Sequence, residues 1–180
     1  MKPHYADVKV TEINAIRRYA SGFPLDENGK ETAVCLDRKW KFAFCKNPSE
    51  IPVGYEKEGA DLSSFGEIKV PSEWQIEGFD TPVYTNYIYP YALEQTNLLN
   101  VPHIKDKLNT VGCYATTFNV KKTDDRVFIH FGGINSCADI YVNGKFVGYS
   151  EDTFDFQEYE ITDLVREGEN KLAATVYRYC

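Results

Sequence analysis

Three pairs of carboxylates stand close together in the sequence, Glu73 with Glu77, Asp124 with Asp125 and Glu151 with Asp152. Paired carboxylates are the chemistry of glycoside hydrolysis. One acid protonates the leaving oxygen and a second serves as nucleophile or base, roughly 5 to 10 Å away across the scissile bond. Each of these pairs lies in or beside a turn, where charged side chains are ordinarily solvated. They read as surface charge, so no catalytic residue is assigned within these residues. His4, His103 and His130 are too scattered to build a metal site, and no metal ligand is assigned. The five cysteines, at 35, 45, 113, 137 and 180, cannot all pair and lack the close, repeated spacing of a zinc site. Reduced thiols in a cytosolic protein are the simplest account of them.

A different chemistry is suggested by the run from Val70 to Pro90, in which Trp74, Tyr84, Tyr87 and Tyr89 alternate with polar groups and with Gly78, Asp80 and Pro82. Rings beside hydrogen-bonding side chains form a surface suited to sugars. Asn86 in this run carries an amide that both donates and accepts, a capacity that suits sugar hydroxyls. The competing reading is an Asx-type turn residue that caps the loop. Aromatics in a sandwich more often bury their area than stack on a pyranose. Tyr84 and Tyr87 are the exceptions to favour, since they flank Asn86.

Such a loop needs a rigid frame, and the sequence supplies one from about Leu36 onward. Trp40, Phe42 and Phe44 alternate with Lys39, Lys41 and Ala43, the period of a strand with one buried face. A short strand is expected at 67–70. Beyond Gly112 further strands are expected at 113–120, 126–131, 138–142, 145–149, 154–161 and 171–179, close and regularly spaced. Asn143-Gly144 tolerates the positive φ angles that a two-residue type I′ turn requires, so 138–149 reads as a hairpin. Thr162 to Arg166 is expected to form one helical turn with Thr162 as its N-cap. Residues 1–35 are polar with sparse apolar positions, and read as an extended N-terminal arm. Such an arm is expected to be poorly ordered or docked on a neighbouring molecule. Residues 36–180 form the expected domain, an all-β antiparallel sandwich.

With 180 residues, one domain with a real core is possible without staples. Lysine and arginine total 20 against 27 acidic residues, a net charge of −7, which opposes binding to nucleic acid. Met1 to Asp7 contains no apolar signal region, and no segment approaches the ~20 apolar residues that span a bilayer. A cytoplasmic location with no membrane partner is the expectation.

Trp74-Gln75, Gly78, Asp80, Pro82 and Tyr84-Thr-Asn86 resemble the N-terminal region of family 2 glycoside hydrolases, in particular its beta-galactosidase branch. Phe131 to Ser150 and Phe156 to Arg178 are similar to the rest of that family's sugar-binding domain. The resemblance sharpens the sandwich to a jelly roll of the galactose-binding type. It implies one domain of a larger enzyme that hydrolyses terminal β-galactosides with retention, the catalytic glutamates lying in a later TIM barrel. This piece alone is then inactive. By the same resemblance the domain braces the barrel and Asn86 contacts the galactosyl group, so that Asn86 and its neighbour Tyr87 are the candidate substrate-binding residues. A second family contact, an aspartate past the last strand, would follow Cys180. Magnesium and sodium are implied for the parent enzyme, with no ligand position that carries over, and a homo-oligomer is implied because the family's N-terminal region helps hold subunits together. A beta-glucuronidase or beta-mannosidase shares this architecture. A stand-alone carbohydrate-binding module is the reading from a different class.

Overall fold

The computed structural model describes residues 2–18, 25–26, 28–29, 32–84, 86, 103–121 and 124–180. Nine strands run through them: β1 (Glu12–Ile13), β2 (Lys39–Cys45), β3 (Gly66–Lys69), β4 (Val111–Val120), β5 (Phe128–Phe131), β6 (Cys137–Val142), β7 (Lys145–Ser150), β8 (Gln157–Glu160) and β9 (Gly168–Tyr177). Seven form one sheet in the order β1-β7-β6-β9-β4-β2-β3, and β5 pairs with β8 in a second sheet. Every pairing is antiparallel, and the longest, β4 with β9, keeps register from Val111 opposite Tyr177 to Val120 opposite Gly168. The result is a jelly-roll β-sandwich. No described helix is long and apolar enough to cross a membrane.

Local chemistry explains most of the element ends. Asn143 and Gly144 adopt φ of 50° and 76°, the two left-handed positions of a type I′ turn, and Val142 pairs with Lys145 across it. The strand expected at 154–161 is shorter. Asp152 Oδ1 accepts a hydrogen bond from Phe154 N (3.1 Å) and Asp155 Oδ1 one from Phe156 N (2.9 Å), and these Asx bonds hold the chain in a loop until Gln157. Phe154 is left 99% exposed at its tip. Thr162 begins a 3-10 turn (Thr162–Leu164) but does not cap it. Its hydroxyl is engaged elsewhere, accepting from Val127 N at 3.0 Å and so tying β5 to the turn after β8.

The central strands of the large sheet are buried on both faces, whereas Lys39 and Lys41 of β2 and Glu67 of β3 leave its second face exposed at that edge. Leu172, Ala174 and Val176 of β9 pack with Trp40, Phe42, Ile68, Ile140, Tyr159 and Ile161 in one cluster, on the side of the small sheet. Their neighbours Ala173 and Tyr177 belong to a second cluster with Val111, Cys113 and Tyr149 on the opposite side. That second side is covered by Tyr5 from the N-terminal segment and by Tyr55 and Phe65 from the connection between β2 and β3. Successive side chains of a strand alternate faces. Double cover therefore turns the central strands into continuously buried runs, as in β6, where all but Tyr141 are buried.

The N-terminal segment does not stand away as a free arm. Residues 4–6 form a 3-10 turn that drops Tyr5 into the second cluster, 4% exposed, its ring 4.5 Å from that of Tyr177 and its hydroxyl donating to Asp106 Oδ1 at 2.7 Å. Glu12 and Ile13 then pair with Ser150 and Tyr149, and Ile16 N reaches Glu158 O at 2.8 Å. Gly148 admits this crossing. A methyl group there would overlap both the Ile13 carbonyl oxygen and the Tyr159 ring. Few apolar residues suffice because one large ring and several polar bonds hold the segment to the chain's own sheet.

Asp139 is buried on the same side, with His4 Nδ1 at 2.7 Å and Tyr177 Oη donating at 3.1 Å. Burial raises its carboxyl above the usual range, and the bonds from His4 and Tyr177 only partly offset this. A carboxyl whose folded pKa exceeds its unfolded value of about 3.9 binds its proton more tightly when folded. Its stabilising contribution is thus present at low pH and lost as pH rises through the folded pKa. Thermal unfolding at about pH 4 and about pH 7 is expected to show the native chain gaining on Asp139→Asn at the lower pH. A gap that is constant, or that closes on acidification, would refute this.

Candidate functional site

The loop that follows β3 is anchored first by its rings. Its backbone winds tightly, with Ile76 N and Glu77 N both donating to Glu73 O and Phe79 N to Trp74 O at 2.8 Å. This throws Trp74 and Phe79 onto the same side. Phe79 packs edge-on to Phe42 (4.8 Å between centroids), and Trp74 and Phe79 each meet the Phe44 ring at 6.2 Å. Trp74 lies flush on β4 because Gly112 has no side chain. A Cβ there would come within 2.8 Å of the indole. Among the described residues the buried Trp74 N–H has no hydrogen-bond partner, and the ring is seated by packing. Trp74 is thus a core residue, with no ring face left for a sugar.

The next anchor is polar. Gly78 and Asp80 have φ of 91° and 63°, and these two left-handed residues reverse the chain. Asp is one of the few side chains that visits this region readily. Asp80 Oδ1 accepts from Thr81 N at 2.8 Å, and Oδ2 accepts from Thr110 Oγ1 at 2.8 Å and from Arg178 Nη1 at 3.1 Å. Arg178 and Asp80 have only 11% and 13% of their side chains exposed. Their partners are themselves zipped together. Arg178 N donates to Thr110 O at 3.0 Å, Tyr179 N to Asn109 Oδ1 at 2.9 Å, and Asn109 Nδ2 to Tyr179 O at 3.0 Å. The lead-in to β4, the tail of β9 and the loop therefore meet at one carboxylate.

Beyond Asp80 the chain leaves the core. Thr81 and Pro82 are exposed, Tyr84 is 89% exposed and Asn86 lies in an exposed bend. The structure thus sets a solvent-facing tip carrying Tyr84 and Asn86 on a stem fixed by two rings and an ion pair. Tyr87 and Tyr89 fall outside the described residues.

The carboxylate pairs occupy separate settings. Glu73 and Glu77 are exposed on the loop, with Ser72 Oγ donating to Glu77 at 2.9 Å, and Asp124 and Asp125 are exposed before β5. Glu151 accepts from Tyr149 Oη at 3.1 Å, and burial raises its carboxyl, whereas Asp152 faces Arg18. His130 pairs with Glu158 across the β5–β8 ladder and stacks on Phe156, and His103 is exposed. Among the described residues no three His, Cys, Asp or Glu side chains converge. All five cysteines are free thiols, Cys45 and Cys113 lying 4.0 Å apart in the core.

Sequence reasoning singled out Asp80 as part of a motif but missed its partners. Arg178 lies 98 positions away, and no local pattern joins them. The available signal was Asp80 itself, an acidic residue placed between Gly78 and Pro82 where a left-handed turn was needed.

Residues 34–180 match the model of the glycosyl hydrolases family 2 sugar-binding domain. Beta-galactosidase from Clostridium acetobutylicum is 43% identical over 145 residues, which is 79% of this chain and 16% of that protein. Beta-galactosidase from Streptococcus thermophilus is 33% identical over 181 residues, 96% of this chain and 17% of that protein. The chain thus spans about a sixth of the length of these relatives. Among solved structures, a beta-glucuronidase from Bifidobacterium dentium superimposes with a TM-score of 0.56 at 19% identity, covering 79% of this chain and 19% of that one. A beta-glucuronidase from an uncultured Clostridium gives 0.53 at 23% identity, covering 78% and 21%. At such identities these two report the shared fold. Together with the jelly roll and its braced loop, the family match places the conclusion beyond composition and periodicity: the chain belongs to the sugar-binding domains of glycosyl hydrolase family 2.

Proposed function

We propose that this chain is the sugar-binding domain of a beta-galactosidase that hydrolyses terminal β-D-galactosides with retention, bracing the catalytic barrel and presenting Asn86 to the galactose. The observation that carries this reading is the loop itself: a rigid stem that ends in an exposed Tyr84 and Asn86, on a chain whose relatives named beta-galactosidase are 33% to 43% identical to it. An exposed amide on a fixed stem can meet a sugar held by another domain. It cannot by itself enclose one. The domain therefore contributes binding and orientation, and bond cleavage belongs to carboxylates supplied elsewhere in the parent protein. A cytoplasmic homo-oligomer requiring magnesium and sodium completes the proposal for the parent.

The test compares the parent enzyme on chromogenic β-galactoside and β-glucuronide, with the 180-residue chain assayed alongside. The parent is expected to prefer the galactoside by at least a hundredfold in kcat/KM, about 3 kcal/mol of discrimination, and the short chain to be inactive. A parent that prefers the glucuronide, or turnover that co-purifies with the short chain, would overturn the reading.

A further inference from the structure

The best-defined polar structure near the exposed tip is one that sugar need not touch. Asp80 stands six residues before Asn86, with its side chain only 13% exposed. Both of its oxygens are engaged, Oδ1 by the loop's own Thr81 N and Oδ2 by Thr110 and Arg178 from the β4–β9 end of the sheet. Charge-assisted bonds inside a mostly buried setting are directional and strong. Thr81 to Asn86, by contrast, show exposure at every described position except the half-buried Val83. The direction in which the tip leaves the sheet is therefore set at Asp80.

We propose that Asp80 is a positioning residue for the galactose subsite: its bonds to Arg178 and Thr110 hold the stem so that Asn86 faces the sugar. The proposal rests on the reading that Asn86 contacts the galactosyl group, and it adds a cause for that contact in the ion pair beneath it. Arg178 serves better than lysine would, because its guanidinium can bond Asp80 while its plane lies 5.0 Å over the Tyr179 ring.

The experiment uses the parent enzyme and three variants, Asp80→Asn, Asn86→Ala and the two combined. Asparagine keeps the tolerance for a left-handed backbone and an oxygen for Thr81 N. It turns an amide donor, or at best a neutral oxygen, toward Arg178. Hydrogen exchange of peptides covering residues 78–86 reports the tether without reference to catalysis, and is expected to speed up severalfold in Asp80→Asn. Activity on a β-galactoside reports the consequence. Asp80→Asn is expected to lower kcat/KM roughly tenfold, since small misplacements of a binding group are costly. It should lower it hardly at all once Asn86 is already alanine, because the two changes remove the same interaction. Arg178→Lys should reproduce the exchange result with a smaller activity loss. Unchanged exchange in Asp80→Asn overturns the proposal whatever the rates do. So does a loss in the double variant that is the product of the single losses, or an Asp80→Asn loss when Asn86→Ala has none. An Asn86→Ala enzyme with full activity separately defeats the assignment of Asn86 to the sugar.

Discussion

In the parent enzyme, Asn86→Ala is expected to lower kcat/KM on a β-galactoside by roughly ten- to hundredfold while leaving the Tm within a degree or so. The reasoning starts from exposure. Asn86 lies in a solvent-facing bend of the isolated domain, so truncating it removes nothing from either core cluster. Its amide can supply one or two neutral hydrogen bonds to a sugar hydroxyl. Removing them, and leaving a hydroxyl unpaired in a closed site, costs about 1 to 3 kcal/mol in the complex. If Asn86 instead caps its own bend, the pattern reverses. Stability then drops, and activity per folded molecule stays near the native value. Steady-state kinetics paired with thermal unfolding separates the two outcomes directly.

Tyr5→Ala is expected to destabilise the 180-residue chain by about 3 kcal/mol, or about 10 °C in Tm for a chain of this size. Tyr5 fills space between the N-terminal turn and Tyr177, and its hydroxyl bonds Asp106. Alanine would leave a cavity against the second face of the sheet, while the exposed Asp106 carboxylate would turn to solvent. Burial, followed by the neighbouring Asp106, raises the Tyr5 phenol well above its ordinary value, so it stays a neutral donor throughout the accessible range. Tyr5→Phe keeps the ring and should cost only about 1 kcal/mol. Calorimetry on the two variants checks the difference. A loss below 1 kcal/mol in Tyr5→Ala would mean that the segment is dispensable.

What could be read from the sequence was local. Asn143-Gly144 carries its turn in two residues, and in β2 buried Trp40 and Phe42 alternate with exposed Lys39 and Lys41. The exposed Tyr84 and Asn86 were legible because the loop between them and Trp74 carries its own punctuation in Gly78, Asp80 and Pro82. Double cover of the sheet was not legible. Alternation assumes one wet face, and nothing in Leu172, Ala174 and Val176 announces that Thr175 and Tyr177 meet Tyr55 and Tyr5 from remote segments. The same limit hid the docking of residues 2–18. Sparse apolar content suggested a segment that buries little, whereas its hold comes from one ring, a strand pair and polar bonds whose partners lie over 100 positions away.

The polar groups on the covered second face have a further consequence. Contact between apolar surfaces is non-directional, so two greasy segments could exchange places over a flat sheet at little cost. Thr175 and Asp139 break that symmetry. Thr175 shares a 2.7 Å hydrogen bond with Tyr55 Oη, and Asp139 is met by His4. A segment seated in the wrong berth would leave one of these groups stranded away from water, which is far more costly than a loose apolar fit. The two side chains therefore act as addresses. They tell the N-terminal turn and the β2–β3 connection where to settle, and they make the covering of the sheet a matter of recognition as well as of burial.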